Sequence, residues 1–365
     1  MRDPSATGTG PARRVLMVAH SRQLGGIERH VVGLSTALAE AGHAVAFAGP
    51  RDGWLGEAMA AAGHDCTHVP MRGMYDLISA RRIAGIARDW RADVLHGHAQ
   101  RGGRYARWAR RGAGVPAVVT AHSTNAWRWF GPDHPILAVS DAVRRALIDK
   151  GLPGANISVV YPGVADLGPV PPAPPGPLSA DRPLVLGMVA RVEEVKGHDI
   201  ALRALAELAD LPLRLDIVGP DGTDWAARLR ALLDELQLGA RVRFLGQRSD
   251  LAAVWAGIDV ALAPSRREAL SLSLIEAASA ARPAIGADLG GIPEAILGGT
   301  TGLLVPPEDP QALAAAIRRM ADATLRDRMG AAARAHYQAL FTPAAMLRGV
   351  TRAYDAVLAG KEPRG

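Results

Sequence analysis

The chain predicts two parallel, doubly wound α/β sheets, one after the other. Short strands with β-branched cores alternate with amphipathic helices throughout. A proline-rich stretch, Pro169–Pro177, interrupts that alternation near the middle and can be neither helix nor central strand. After it the alternation restarts, and 365 residues are enough for two domains of ordinary size.

Six strands are expected before the interruption, at 15–20, 44–49, 93–98, 117–122, 136–140 and 157–162. Helices fill the gaps, for example Ile27–Glu40 and Ile78–Trp90. Six more strands are expected after it, at 184–190, 213–219, 242–246, 259–264, 283–287 and 302–306, with closing helices near 324–339 and 343–359. The expected organisation is a disordered tail over 1–13, a first domain over 14–166, a linker over 167–183, a second domain over 184–340 and a terminal helical segment over 341–365.

Composition narrows the function classes. The chain is 48% hydrophobic and only 4% aromatic, a soluble α/β profile. No apolar run is long enough to span a membrane, and residues 1–13 lack a signal core, so a cytoplasmic protein is expected. One cysteine, Cys66, rules out an internal disulfide framework and reads as a small buried hydrophobe. The net charge of +6 is uneven: residues 1–166 carry 20 Lys+Arg against 13 Asp+Glu, and the remainder 22 against 23. An acidic partner is expected for the first half only.

In such sheets ligands bind outside the carboxyl ends of the strands, so the residues just after each strand carry the chemistry. The richest segment follows strand 259–264. A polar turn, Pro264-Ser265-Arg266-Arg267, ends in Glu268; a helix then begins, with Glu276 inside it. The amides of Leu270, Ser271, Leu272 and Ser273 at a helix start suit a phosphate. The two carboxylates can grip hydroxyls on either side, a pattern suited to a nucleotide-sugar. Taken alone, they would be a helix-start acid and a solvated helix face. After strand 184–190, Arg191 and Lys196 lie five residues apart across a turn, a fork and a point charge able to neutralise a diphosphate without a metal. After the first strand, Gly25-Gly26 opens a helix and permits close backbone approach; no G-x-G-x-x-G dinucleotide fingerprint is present. His122 closes Thr120-Ala121-His122, and His96-Gly97-His98 closes the preceding strand. His-x-His could be a metal pair, but no third ligand follows at zinc-like spacing, so no metal or cofactor is expected.

Glu268-x7-Glu276, followed by Gly290-Gly291-Ile292-Pro293-Glu294 and preceded by Arg191-x4-Lys196-Gly197, resembles the donor site of retaining GT-B glycosyltransferases of family 4. The resemblance runs from residue 14 to about 350. It departs from the family pattern at Ala190 and Ala269, where the family commonly has Gly. It implies two Rossmann-like domains facing a central cleft, with the last helix crossing back to the first domain. It further implies sugar transfer from a nucleoside-diphosphate-sugar to an acceptor hydroxyl with retention. Glu268 would then hold the donor sugar, Glu276 the ribose, and Arg191, Lys196 and the 270–273 amides the diphosphate. Gly25 and Gly26 would lie beside the phosphates, His122 against the donor sugar, and the nucleobase near Gln247 and Arg248, with Asp250 a possible partner for a base N–H. The sequence leaves a GT-B UDP-sugar epimerase and a non-catalytic nucleotide-sugar-binding subunit open.

Arg104, Arg107, Trp108 and Arg111 fall at helical spacings on one face. Such a face suits an anionic membrane or acceptor, and equally a solvated helix. Nucleic acid is excluded, since no helix-turn-helix, zinc-finger or RNA-recognition pattern accompanies the charge. The expected partners are thus a glycan or lipid-linked acceptor of cell-envelope synthesis, with peripheral attachment to the inner membrane face.

Overall fold

A computed structural model describes residues 11–21, 24–171 and 177–360. Most of the expected N-terminal tail, part of the proline-rich stretch and the last five residues lie outside the described residues.

The first compact unit runs to Gly163 and takes in the chain again from Pro343; the second is Val164–Thr342. The described residues of the first unit form a seven-stranded sheet: β1 (Arg14–Val18), β2 (Ala44–Gly49), β3 (Asp65–His68), β4 (Val94–His98), β5 (Ala117–Ala121), β6 (Ile136–Ala138) and β7 (Ile157–Val159). The order is β3-β2-β1-β4-β5-β6-β7 and every pairing is parallel. The inner strands RVLMV, VLHGH and AVVTA are buried almost throughout, because helices cover both faces of a parallel sheet.

Six strands were expected here and seven are present. The extra one, β3, reads Asp-Cys-Thr-His and lies at the sheet edge with no residue buried. It carries no apolar period, and only pairing with β2 makes it a strand. Helix Pro343–Ala359 packs on this sheet: Met346, Val350 and Tyr354 join Val15, Met17, Leu34 and Val160 in one core.

The second unit holds β8 (Leu184–Val189), β9 (Leu213–Val218), β10 (Val242–Phe244), β11 (Val260–Ala263), β12 (Ala284–Ala287) and β13 (Gly302–Val305), in the order β10-β9-β8-β11-β12-β13. All its pairings are also parallel. The expected linker over 167–183 is corrected at its start. Asp166 pairs with Arg334, and Val170 donates its amide to Ala280 at 3.1 Å, so the chain joins the second unit from Val164.

In each sheet the strand order reverses once, between β1 and β4 and between β8 and β11. A doubly wound sheet opens a crevice at that point, beyond the strands' carboxyl ends. The loops after β8 and β11 contain Arg191, Lys196 and Glu268. The ends of β1, β4 and β5 lead to Gly25, His98 and His122.

Candidate active site

In the second unit the two loops at the strand reversal are locked to each other. Gly197 takes φ +71°, and a Cβ there would lie 1.9 Å from the Pro264 carbonyl oxygen, so only glycine lets the loops touch. Arg266 donates its amide to the Val195 carbonyl at 2.8 Å. Its guanidinium grips Asp199 at 2.9 and 2.7 Å, the Glu194 carbonyl at 2.8 Å and Glu308 at 2.9 Å. The hydrogen bond to Asp199 is the main reason the guanidinium's pKa is raised. Arg266, whose direction the sequence left undecided, is a staple between loops.

That staple sets up the central contact. Lys196 Nζ donates to Glu268 Oε2 at 2.6 Å, with side chains 22% and 11% exposed. Behind Glu268, Gly290 sits at φ +55° with its Cβ position 2.0 Å from the Glu268 carbonyl oxygen. The Cβ position of Gly291 is 2.1 Å from the Ala269 carbonyl oxygen, and Gly291 donates its amide to Glu268 O at 3.2 Å. The Gly-Gly pair is a floor that only glycine can make, and it fixes the backbone that carries Glu268.

The remaining donor-side residues fall around this pair unevenly. Arg191 is half exposed and pairs with Glu193 at 2.7 Å. Helix Leu272–Ser279 starts at Ser271, whose side chain makes no cap bond to the helix; its hydroxyl lies 3.1 Å from that of Ser273. Leu270 is buried. Glu276 is 3% exposed, which excludes a solvated helix face for it. Gln247 and Arg248 are exposed, on the loop after the edge strand β10. Arg248 is turned to Asp250 at 2.8 Å, so Asp250, a weak candidate for a base N–H, is already engaged by a cation. Backbone contacts carry this loop toward Arg191: Gly219 donates to Gly246 O at 2.8 Å, and its own Cβ position is 2.0 Å from Ala190 O.

In the first unit Gly25 caps helix Gly26–Glu40 without a side-chain bond. The Glu28 carboxylate folds back to within 2.9 Å of the Gly25 Cβ position and is 6% exposed. This helix start therefore has an acid of its own in its first turn, which the Gly-Gly reading did not foresee.

His122 follows β5 and has company that its strand-end position does not announce. It is half-buried, and its Nε2 lies 3.4 Å from His98 Nδ1. The His30 ring meets it edge-on, with centroids 4.9 Å apart. His30, from the helix, supplies the third histidine that the sequence search for a metal set did not find. His96 stacks on His98 at 4.2 Å and is satisfied at both nitrogens, by Tyr354 Oη and Thr120 Oγ1 at 2.7 Å each. Burial keeps all four rings neutral: the pKa of His30 is lowered to about 4 and that of His96 to about 3. For His98 and His122 burial comes first, and the neighbouring histidines lower the pKa further.

The Arg face on helix Ala99–Ala113 is also corrected. Arg107 and Arg110 pair with Asp133, and Arg104 stacks on Tyr75, Trp108 and Trp129 at 4.1–4.9 Å. Of the residues assigned to that face, Arg111 alone is exposed. The exposed apolar residues lie elsewhere, at Tyr75, Leu77 and Ile78.

Two parallel Rossmann-like sheets, with charged and histidine side chains at the strand reversals, are the GT-B fold. Among solved structures, a glycosyltransferase from Rickettsia africae is similar at TM-score 0.85 and 20% identity, over 96% of this chain and 100% of that one. Anabaena HepE in complex with UDP and glucose is similar at 0.81 and 20%, over 94% and 100%. Residues 24–166 match the model of Glycosyltransferase Family 4, and residues 183–323 that of Glycosyl transferases group 1. The chain belongs to glycosyltransferase family 4. D-inositol 3-phosphate glycosyltransferase of Mycobacterium sp. (strain KMS) is 34% identical over 248 residues, covering 60% of this chain. The chain spans 56% of the length of that relative.

Proposed function

We propose that this protein transfers a hexosyl group from a nucleoside-diphosphate-sugar to an acceptor hydroxyl with retention, and that no divalent metal is needed at the diphosphate. The observation that carries the reading is the Lys196–Glu268 pair, held at 2.6 Å over the Gly290-Gly291 floor. A bound diphosphate competes for the Lys196 ammonium and frees Glu268 to accept hydrogen bonds from sugar hydroxyls. Arg191, half exposed beside it, adds a second positive charge. The C–O bond from the anomeric carbon to the diphosphate breaks while the acceptor oxygen bonds to that carbon on the same face. The acceptor's proton passes to the departing phosphate oxygen. Lys196, Arg191 and the amides of 270–273 stabilise the charge that develops there. Glu276 faces the ribose, His122 the donor sugar, and the loop at Gln247 and Arg248 the base.

UDP-sugars are the first donors to test, since HepE was solved with UDP and glucose. A thermal-shift panel of UDP-, GDP- and ADP-sugars identifies the donor, because a ligand of the native state raises the melting temperature. Turnover with the stabilising donor and an acceptor, yielding a retained glycoside in buffer without magnesium or manganese, supports transfer. Conversion of the donor without acceptor identifies an epimerase instead, and binding without turnover a silent subunit. A strict requirement for added magnesium or manganese overturns the metal-free diphosphate site.

For the acceptor we propose a lipid-linked or envelope glycan met at an anionic cytoplasmic membrane face. A groove of about 350 Å³ between helices Leu77–Asp89 and Ala99–Ala113 is lined by Arg81, Arg107, Trp108, Arg110 and Arg111. Tyr75, Leu77 and Ile78 are 70%, 54% and 78% exposed beside it. No helix among the described residues is long and apolar enough to cross a membrane. Sedimentation with anionic but not neutral vesicles, fading as salt rises, supports this surface; equal sedimentation with both, or none with either, directs the search to a free acceptor.

A further inference from the structure

The first unit brings together three imidazoles from three separate elements. His30 lies on helix Gly26–Glu40, His98 ends β4, and His122 follows β5. One nitrogen from each lies within 4.8 Å of the other two. A tetrahedral ion bound to imidazole at about 2.0–2.1 Å holds its ligand nitrogens about 3.3–3.4 Å apart. The His98 Nδ1 to His122 Nε2 distance of 3.4 Å already matches one such edge. The two edges to His30 lie within 4.8 Å, and a turn of its ring has to close them.

The histidines are also left open in a way that His96 is not. His96, one strand residue away, has an oxygen partner on each nitrogen. Among the described residues neither nitrogen of His30 has a hydrogen-bond partner, and neither does His98 Nε2. His30 is 4% exposed and His98 fully buried. Buried polar atoms are costly without partners, so the open nitrogens of His30 beside His98 and His122 call for a ligand. Three neutral imidazoles with no thiolate suit zinc among the divalent ions, and cobalt(II) as its spectroscopic substitute.

We propose that His30, His98 and His122 bind one zinc-type transition-metal ion, with a fourth position left for water or another oxygen ligand beside the partly buried His122. The site ties the start of helix Gly26–Glu40 to the ends of β4 and β5. Its three residues belong to the first unit and Lys196 and Glu268 to the second, and the two readings share only His122.

The test is a titration of chelator-treated full-length protein with cobalt(II), followed by displacement with zinc. One equivalent of cobalt should give the intense visible absorption of four-coordination, and zinc should abolish it and raise the melting temperature. In His30→Gln and His98→Gln, affinity should fall by at least the about 10–100-fold that even an outer-sphere change costs. His122→Ala, at the partly buried position, should do the same and guards against a buried variant that fails to fold. Absence of the absorption at stoichiometric cobalt overturns the proposal, as does a band that persists in both His30→Gln and His122→Ala. Thermal stabilisation by a nucleotide-sugar reports on the donor site independently, so failure of one reading is distinguishable from failure of the other.

Discussion

The two strand reversals of this protein solve opposite electrostatic problems. In the second unit the crevice is charged: Lys196 with Glu268, Arg266 with Asp199 and Glu308, and Arg191 with Glu193. In the first unit the ends of β4 and β5 carry uncharged rings, with imidazoles packed on imidazoles and their protonation suppressed by burial. A charged crevice holds its cations in place with its own acids until a ligand takes them over. A neutral one offers lone pairs. The same topology thus prepares one site for an anion and the other for a Lewis acid or an uncharged sugar edge.

The largest expected effect is on the charged side. Lys196→Ala should lower kcat/KM by about 10²–10³-fold, comparable to removing one oxyanion donor. Glu268→Ala should act mainly on kcat and Glu276→Ala mainly on donor binding, read from initial rates across donor concentrations. If Glu268→Ala leaves kcat intact, the pair is structural and the contrast between the two crevices loses its functional half.

The next effect is on the neutral side and depends on pH. His30 has its folded pKa lowered from the ordinary 6.5 to about 4. Between those values the unfolded chain binds the proton and the native one does not, so stability is full above about pH 6.5 and falls as pH drops toward 4. The shift corresponds to at most about 3 kcal/mol. Urea unfolding of metal-free protein at pH 7 and pH 5 should show the loss, and His30→Gln should reduce it, the other buried histidines supplying the rest. An equal pH dependence in both proteins would remove His30 as its source.

Arg266→Ala should cost about 2–3 kcal/mol, less than the 3–5 of a fully buried pair, because Asp199 keeps some solvent contact. Unfolding should shift, and donor affinity should fall with it as the loops of Lys196 and Glu268 separate. Unchanged donor affinity in a destabilised variant would mean that the staple holds the fold and not the site. The smallest effect is at the surface: Arg111→Ala should weaken attachment to anionic vesicles by about 1 kcal/mol, roughly fivefold, measured by sedimentation.

Much of this was legible in the chain. Twelve of the thirteen strands announce themselves as short apolar runs, and the two doubly wound halves follow from their alternation. The placement of Arg191, Lys196 and Glu268 was also legible, because each follows a strand within a few positions and local order alone puts it at the sheet's carboxyl edge. β3 was not, since a four-residue edge strand with no buried side chain has no period to read.

What sequence by itself determined is therefore the local part: strand, turn and helix start, the glycines that let Lys196 and Glu268 approach, and the charge asymmetry of the two halves. Tertiary structure alone decided which partners meet. It sent Arg266 to Asp199, 67 positions away, and paired Arg107 and Arg110 with Asp133. It also brought His30 to His98 and His122, residues whose spacing matches no ligand pattern. The reason is physical. A strand or helix is fixed by neighbours a few residues apart, whereas a ligand set is fixed by the order and register of the sheet. That register places His98 beside Thr120, and so within reach of His122, only once β4 and β5 have paired.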